Sequence, residues 1–139
     1  MKKFILLTLC SLTLCTLTLL ANDFIVVANP SVKASDISAD ELKQVFLGTK
    51  TSLSDGSAVE PVLSSGGATH EAFLKAHVGK TDPALRNHFK SLVFTGKGSM
   101  PKSFASDADI VAYVSKTKGA VGYVSASAST GGAKKLAIK

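Results

Sequence analysis

Residues 24–28, FIVVA, form a continuous apolar run rich in β-branched side chains, and Asn29 and Pro30 end it. A run of this kind, bounded by turn residues, is typical of a strand buried on both faces of a sheet. A second run at 119–124, GAVGYV, predicts another strand near the end of the chain. Between the two runs lie segments whose apolar residues recur with the spacing of a helix. The alternation of strands and helices predicts an α/β domain in which helices flank a small mixed sheet.

The residues between these runs supply the other elements. Ser38 with Glu41 three positions later is a capping box, which predicts a helix start. Asp82 followed by Pro83 is a second helix-start signal, with Asp82 as the N-cap. Pro61 in an alternating run predicts a strand near a sheet edge. Together, apolar periods and breakers predict helices at about 38–47, 69–78, 82–93 and 106–116, and further strands at 59–63 and 136–138.

The N-terminus has the pattern of a secretory signal. Lys2 and Lys3 precede residues 4–20, an uncharged and leucine-rich segment. Ala21 is small enough to precede a cleavage point, so we expect cleavage after Ala21 and a single mature domain of residues 22–139. The alternative is a retained membrane anchor, because this segment reaches the lower limit of a bilayer span, roughly 17 to 25 residues.

The charge and the cysteine content argue against nucleic-acid binding and against cysteine-based sites. The chain carries 16 basic and 10 acidic residues, a net charge of +6, and two of its lysines lie in the signal. Such mild basicity would steer a small anion toward the protein, but no dense run of basic and aromatic residues indicates a nucleic-acid partner. Cys10 and Cys15 also lie in the signal, so residues 22–139 have neither a disulfide nor a cysteine ligand for a metal.

Six short motifs occur in the same order as in a known family. They are QVFLG at 44–48, DG at 55–56, VEPV at 59–62, AF at 72–73, FTGKG at 94–98 and GAVGYV at 119–124. With them the chain resembles the periplasmic phosphate-binding proteins of ABC transporters, most closely their short, single-domain members. The resemblance covers residues 24 to about 125. It implies a reduced type II periplasmic-binding-protein-like fold, a periplasmic location and an ABC permease as partner.

The resemblance also implies a ligand-binding loop. In full-length relatives, backbone amides and hydroxyls of a Ser-Gly-Thr-Arg sequence at a helix start hold the anion, and residues 67–70, GATH, match that sequence here. Thr69 is retained, whereas His70 replaces the arginine. Histidine lacks the permanent charge and the bidentate fork with which arginine binds phosphate. A second ligand loop of the relatives would fall where this chain has its signal.

The residues of this loop favour an anion site without the resemblance. Small and hydroxyl residues precede a helix whose first N–H groups lack partners, an arrangement that suits an oxyanion. The alternative interpretation is ordinary turn chemistry, in which Thr69 helps to cap its own helix. Asn29 and Ser31 follow the first strand, at the kind of strand end where α/β proteins bind ligands, although ordinary turn chemistry is the favoured explanation for them. The candidate ligand residues are Ser64, Ser65, Gly66, Gly67, Thr69, His70, Asn29 and Ser31.

Other kinds of site find little support in the sequence. His70 and His77 are two helical turns apart, too far to share one ion, so we predict no metal. No nucleophile motif orders Ser65 with a histidine, so we predict neither an enzyme nor a cofactor. The leading hypothesis is a periplasmic solute-binding protein for phosphate or a similar oxyanion, with a homodimer as one way to close the site. The alternative is a scaffold without a ligand, which acts as an envelope accessory or protein-interaction module.

Overall fold

A mixed sheet of six strands lies at the centre of the structure, a computed structural model that describes residues 24–139. The predicted signal at 1–21 lies outside the described residues. The strands are β1 (Phe24–Ala28), β2 (Asp36–Ile37), β3 (Glu60–Ser64), β4 (Lys102–Phe104), β5 (Ala120–Ser125) and β6 (Lys134–Ile138). The helices are α1 (Ala39–Phe46), α2 (Ala68–Phe73), α3 (Asp82–Phe94) and α4 (Asp107–Lys116), and a π-helical segment (Leu74–Val78) continues α2.

The order of the strands in the sheet is β2-β6-β1-β5-β3-β4. β1 pairs antiparallel with both β5 and β6, with Ala28 opposite Val121 and Val26 opposite Leu136. β3 pairs parallel with β5 on one side and with β4 on the other. Three adjacent strands, β5, β3 and β4, therefore run in one direction, and β1 runs against them.

Apolar side chains form two cores, one on each face of the sheet. Phe24 and Val26 of β1 belong to the first core, whereas Val27 belongs to the second. Three helices complete the first core with Leu42, Val45, Phe46, Phe73, Leu85 and Phe89. α4 completes the second core with Ile110, Val111 and Val114. Cover on both faces explains why β1 is apolar at every position.

The predicted fold class is confirmed, because helices flank a small mixed sheet on both faces. β2 and β4 are missing from the prediction, since strands of two and three residues show no periodicity. Pro61 lies in β3, next to the edge strand β4, and this confirms a strand near a sheet edge. The Glu60 N–H donates to Gly119 on the β5 side, and β4 pairs only from Val62 onward, so the sheet needs no N–H at Pro61.

Hydroxyl caps fix two of the helix starts that matter here. Ser38 Oγ accepts from the Glu41 N–H at 3.2 Å, as the capping box predicts. The N-cap of α3 is Thr81, not the predicted Asp82, because Thr81 Oγ1 accepts from the Ala84 N–H at 3.4 Å. The Asp82 carboxylate is therefore free to bond elsewhere. Each helix within residues 24–139 is too short or too polar to cross a lipid bilayer.

Candidate functional site

The carboxyl ends of two neighbouring strands, β3 and β4, form the candidate site. The strands are parallel, and Ser64 at the end of β3 lies opposite Phe104 at the end of β4. From β3 the chain continues into α2 on one face of the sheet, and from β4 it continues into α4 on the other face. Strand ends from which the connections diverge in this way are the positions where open α/β sheets bind their ligands.

The backbone amides of residues 64–70 divide into occupied and free donors. The Ser64 N–H donates to the Tyr123 hydroxyl at 3.0 Å, and the Ser65 N–H donates to the Phe104 carbonyl at 2.9 Å. The first hydrogen bond of α2 runs from the Glu71 N–H to the Gly67 carbonyl at 3.1 Å. Within residues 24–139, the five amides from 66 to 70 have no acceptor. A helix start of this kind carries partial positive charge.

The first three residues with free amides, Gly66, Gly67 and Ala68, are exposed, whereas His70 is buried. Gly67 is the N-cap of α2, has φ of +100°, and provides no side-chain cap. Thr69 lies at the second helical position, and its hydroxyl caps no amide of the described chain. The alternative interpretation, in which the Thr69 hydroxyl caps its own helix, is therefore wrong. Ser64 Oγ donates to the Gly66 carbonyl at 3.0 Å, whereas Ser65 is exposed.

His70 points into the protein, not toward the free amides. Its side chain is 1% exposed, its Nδ1 is hydrogen-bonded to the Tyr123 hydroxyl, and its Nε2 lies 2.7 Å from Asp82 Oδ1. Asp82 Oδ2 in turn accepts from Arg86 Nε at 2.8 Å. Both ring nitrogens are thus occupied. This corrects the place of the His70 side chain among the candidate ligand residues. The His70 backbone amide has no acceptor, but the residue is buried.

The hydrogen-bond pattern assigns the protons of this buried network. The Tyr123 oxygen already accepts from the Ser64 N–H, and burial raises the pKa of the phenol, so Tyr123 keeps its proton and donates it to His70 Nδ1. His70 Nε2 faces the Asp82 carboxylate and donates to it. The Arg86 guanidinium holds the pKa of the Asp82 carboxyl below its ordinary value, so Asp82 is ionised and accepts from both partners.

Asn29 and Ser31 lie at the other end of the sheet from residues 64–70. β1 is antiparallel to β5, so its carboxyl end lies beside the start of β5, whereas the 64–70 segment lies beside the end of β5, ~17 Å away along the strand. Asn29 Nδ2 donates to the Val114 carbonyl at 2.8 Å, and Ser31 Oγ accepts from the Gly119 N–H at 3.1 Å. The Ser31 N–H also donates to Asn29 Oδ1, so both side chains serve the turn after β1, as the alternative interpretation has it, and this corrects their place among the candidate ligand residues.

Sequence reasoning misses the network that supports the segment. Tyr123 and Asp82 are 53 and 12 positions from His70, and no local pattern joins them. The spacing of Asp82 and Arg86, four residues apart on one helix, is the single signal that the sequence offers. Within residues 24–139, no three histidine, cysteine or acidic side chains come together in a group that could hold a metal ion.

Solved structures provide the external comparison, since no protein-family model and no curated protein matches the chain. The chain is similar to an ABC-type phosphate transport receptor from Vibrio cholerae (TM-score 0.64, 14% identity) and to PstS from Borrelia burgdorferi (TM-score 0.63, 12% identity). It is also similar to a protein from Clostridium perfringens that is assigned as a phosphate ABC transporter substrate-binding protein and was solved with bound phosphate (TM-score 0.62, 16% identity).

The match covers most of this chain but less than half of each neighbour. It includes 84% of this chain, and 46%, 47% and 44% of the Vibrio, Borrelia and Clostridium proteins. The chain therefore spans less than half the length of the structures that it matches. Likeness at this level of identity concerns the fold. The chain has the α/β fold of one part of the phosphate ABC transporter receptors, a reduced type II periplasmic-binding-protein-like domain.

Proposed function

We propose that this protein is a periplasmic solute-binding protein that recognises phosphate or a similar small oxyanion at residues 64–70. The run of free amides from Gly66 to His70, at the diverging ends of β3 and β4, carries the proposal. The chain is similar in fold to a phosphate transport receptor and to a substrate-binding protein that was solved with bound phosphate, and this supports the ligand class.

The geometry supports recognition by the backbone. Consecutive N–H groups at a helix start can converge on one oxyanion, and the absence of side chains at Gly66 and Gly67 leaves room for its oxygens. The hydroxyls of Ser65 and Thr69 add donors at either end of the segment. The exposed Glu71 carboxylate, in the first turn of α2, opposes an anion, so we expect modest affinity and a preference for small, highly charged oxyanions.

The location and the transporter partner complete the proposal. The N-terminal pattern of basic residues followed by an apolar segment supports export to the periplasm. The likeness to transport receptors supports an ABC permease as the protein that would receive the anion.

Isothermal titration of the purified protein with phosphate, sulfate and a nucleotide tests the proposal. We expect binding heat with phosphate at roughly millimolar concentration or below, equivalent to a binding free energy of about −4 kcal/mol or better. Chemical-shift changes at the amides of 66–70 would locate the ligand. The absence of heat and of shift changes at millimolar anion would remove the proposal.

A second candidate is an envelope accessory module that keeps the fold and binds a protein in place of an anion. One observation favours it: the side chains of His70, Asn29 and Ser31 are hydrogen-bonded within the fold and are unavailable to a ligand. A defined protein partner, together with no response to any oxyanion, would support this candidate.

Light scattering with and without phosphate would test the proposal that a second copy of the chain closes the site.

A further inference from the structure

The end of α3 and the connection to β4 expose apolar side chains. In the described part of the chain, Val93, Phe94 and Met100 are the large apolar residues that stand out, with 49%, 93% and 41% of their surface exposed. All three lie within one short stretch of sequence. The function proposed for residues 64–70 uses none of them, so this exposure needs another explanation.

Phe94 faces away from the core of the protein. Leu85 and Phe89, on the inner face of α3, are buried. At 100° per residue, Phe94 lies half a turn around the helix from Leu85, on the outer face. Lys90, one turn before Phe94, lies on that same outer face and is exposed. Phe94 therefore adds almost nothing to the packing of the domain.

The backbone holds this end of the helix in a defined turn. The Lys97 N–H donates to the Leu92 carbonyl at 2.8 Å, and the Gly96 N–H donates to the Val93 carbonyl at 3.1 Å. Gly96 has φ of +71°, which completes a Schellman motif. Phe94 is thus presented by a hydrogen-bonded helix end and not by a frayed one.

Positive charge surrounds these apolar side chains. No acidic residue occurs between Asp82 and Asp107, whereas that interval contains Arg86, Lys90, Lys97 and Lys102. Lys50, Lys97 and Lys102 line, beside Met100, a cavity of about 270 Å³ that also includes the Glu60 carboxylate.

Two of these lysines have partners in neighbouring parts of the chain. The Glu60 carboxylate accepts from the Tyr113 hydroxyl at 2.5 Å, and Lys102 Nζ lies 5.1 Å from the centre of the Tyr113 ring. Lys50 pairs with Glu41 at 3.1 Å. Within residues 24–139, Lys90 and Lys97 have no carboxylate partner, so the surface keeps a net positive charge around Phe94.

We propose that this surface, residues 90–102, docks on an anionic lipid surface. Phe94 and Val93 insert among the lipid headgroups, and Lys90 and Lys97 contact the lipid phosphates. Phenylalanine with flanking lysine is the composition of segments that lie on membrane surfaces.

The composition argues against two other occupants. The cores of protein interfaces are depleted in lysine, whereas Lys90, Lys97 and Lys102 all lie within residues 90–102. In a symmetric pair of copies, the lysines of one chain would face those of the other.

Vesicle co-sedimentation tests the proposal. The full-length chain and its variants are purified with the same N-terminus, as checked by mass spectrometry, so that any contribution of the first residues is common to all. The wild type is expected to bind phosphatidylglycerol vesicles and not phosphatidylcholine vesicles, with binding that weakens as salt is added.

Variants separate the apolar part of the contact from the charged part. Phe94→Ser is expected to weaken binding about tenfold, and the Lys90→Gln/Lys97→Gln double variant is expected to weaken it further and to reduce its salt dependence. Lys75→Gln is the matched control, because Lys75 is exposed beyond the opposite end of α3. The unfolding midpoint of Phe94→Ser should equal that of the wild type, since Phe94 is 93% exposed.

Two results would overturn the proposal. One is the absence of binding to phosphatidylglycerol vesicles, as expected if the surface contacts an acidic protein instead. The other is vesicle binding that Phe94→Ser leaves unchanged. Neither result bears on the anion titration at residues 64–70.

Discussion

Tyr123 and His70, 53 positions apart in the chain, share a buried hydrogen bond between the Tyr123 hydroxyl and His70 Nδ1, and their rings stack at 15° with centroids 5.9 Å apart. The same hydroxyl accepts from the Ser64 N–H. One phenol therefore joins the end of β3, the first turn of α2 and β5. This contact fixes both ends of the segment that carries the free amides.

Tyr123→Phe is expected to lower the free energy of unfolding by about 1–3 kcal/mol, because the buried Ser64 N–H loses its acceptor and His70 Nδ1 loses its donor. Urea denaturation measures the change. Tyr113→Phe is the matched control, since the Tyr113 hydroxyl donates to Glu60 in an exposed contact. We expect the control to change stability by no more than about 0.5 kcal/mol. Equal losses in the two variants would contradict a structural role for the network.

Acid is expected to destabilise the protein in part through Asp82. Hydrogen bonds from Arg86 and then from His70 hold the pKa of Asp82 below its ordinary value of 3.8. A carboxyl with a lowered pKa in the folded state stabilises the protein above its unfolded pKa, and the stabilisation is lost as pH falls through the folded pKa. Urea midpoints measured from about pH 5 downward should therefore decrease below about pH 4.

Two variants identify the source of this acid dependence. Asp82→Asn keeps an acceptor for His70 Nε2 and removes the titration, so its stability should depend less steeply on pH over that range. Arg86→Gln removes the main cause of the lowered pKa and should have the same effect. Asp55, whose pKa the Ser57 N–H lowers, would account for part of the remaining slope. An unchanged slope in Asp82→Asn would show that Asp82 is not responsible.

Gly67→Ala tests the proposed anion site through the backbone. Gly67 has φ of +100°, where an L side chain is strained by roughly 1–2 kcal/mol, and its φ sets the direction of the amides that follow. We expect phosphate binding to weaken about tenfold, as measured by calorimetry. Gly79→Ala is the matched control, because Gly79 also has positive φ, its added Cβ meets nothing within 4 Å, and it lies outside residues 64–70. Similar effects in the two variants would contradict the proposed role of Gly67.

Gly119→Ala is expected to be among the most destabilising single substitutions in the protein. A Cβ there would lie 2.4 Å from the Ala58 carbonyl oxygen, a backbone atom that cannot move aside without moving the chain. Gly56→Ala separates the two causes, because Gly56 also has positive φ but its Cβ would meet nothing within 4 Å. We expect a loss of about 1 kcal/mol for Gly56→Ala and at least about 3 kcal/mol for Gly119→Ala in denaturant unfolding.

The fold class was accessible from sequence because its signals are local. The apolar run of β1 and the capped, periodic helices are visible in a few consecutive residues. The direction of β1 is not, because a buried strand has the same composition in parallel and antiparallel sheets. The sequence therefore could not tell which end of the sheet Asn29 and Ser31 would share, and the structure places them at the end opposite residues 64–70.

Only part of the candidate site could be predicted from the sequence, because only part of it depends on local signals. The free amides of 66–70 follow from glycines before a helix, a pattern that the sequence displays. The inward orientation of His70 depends on Tyr123 and Asp82, which only the folded chain brings to it. The exposure of Phe94 was likewise hidden, since Phe94 follows a helical apolar stripe in sequence and faces solvent in space.

The central place of β1 has a consequence for the order in which the protein is built. β1 is made before the rest of the described chain, yet both strands that flank it, β5 and β6, are among the last residues to be synthesised. Until they emerge, β1 has no neighbour on either side, and the pairings that close the sheet all span about a hundred residues. Such distant pairings form slowly. The centre of the sheet therefore cannot form until nearly all of the described residues have been synthesised.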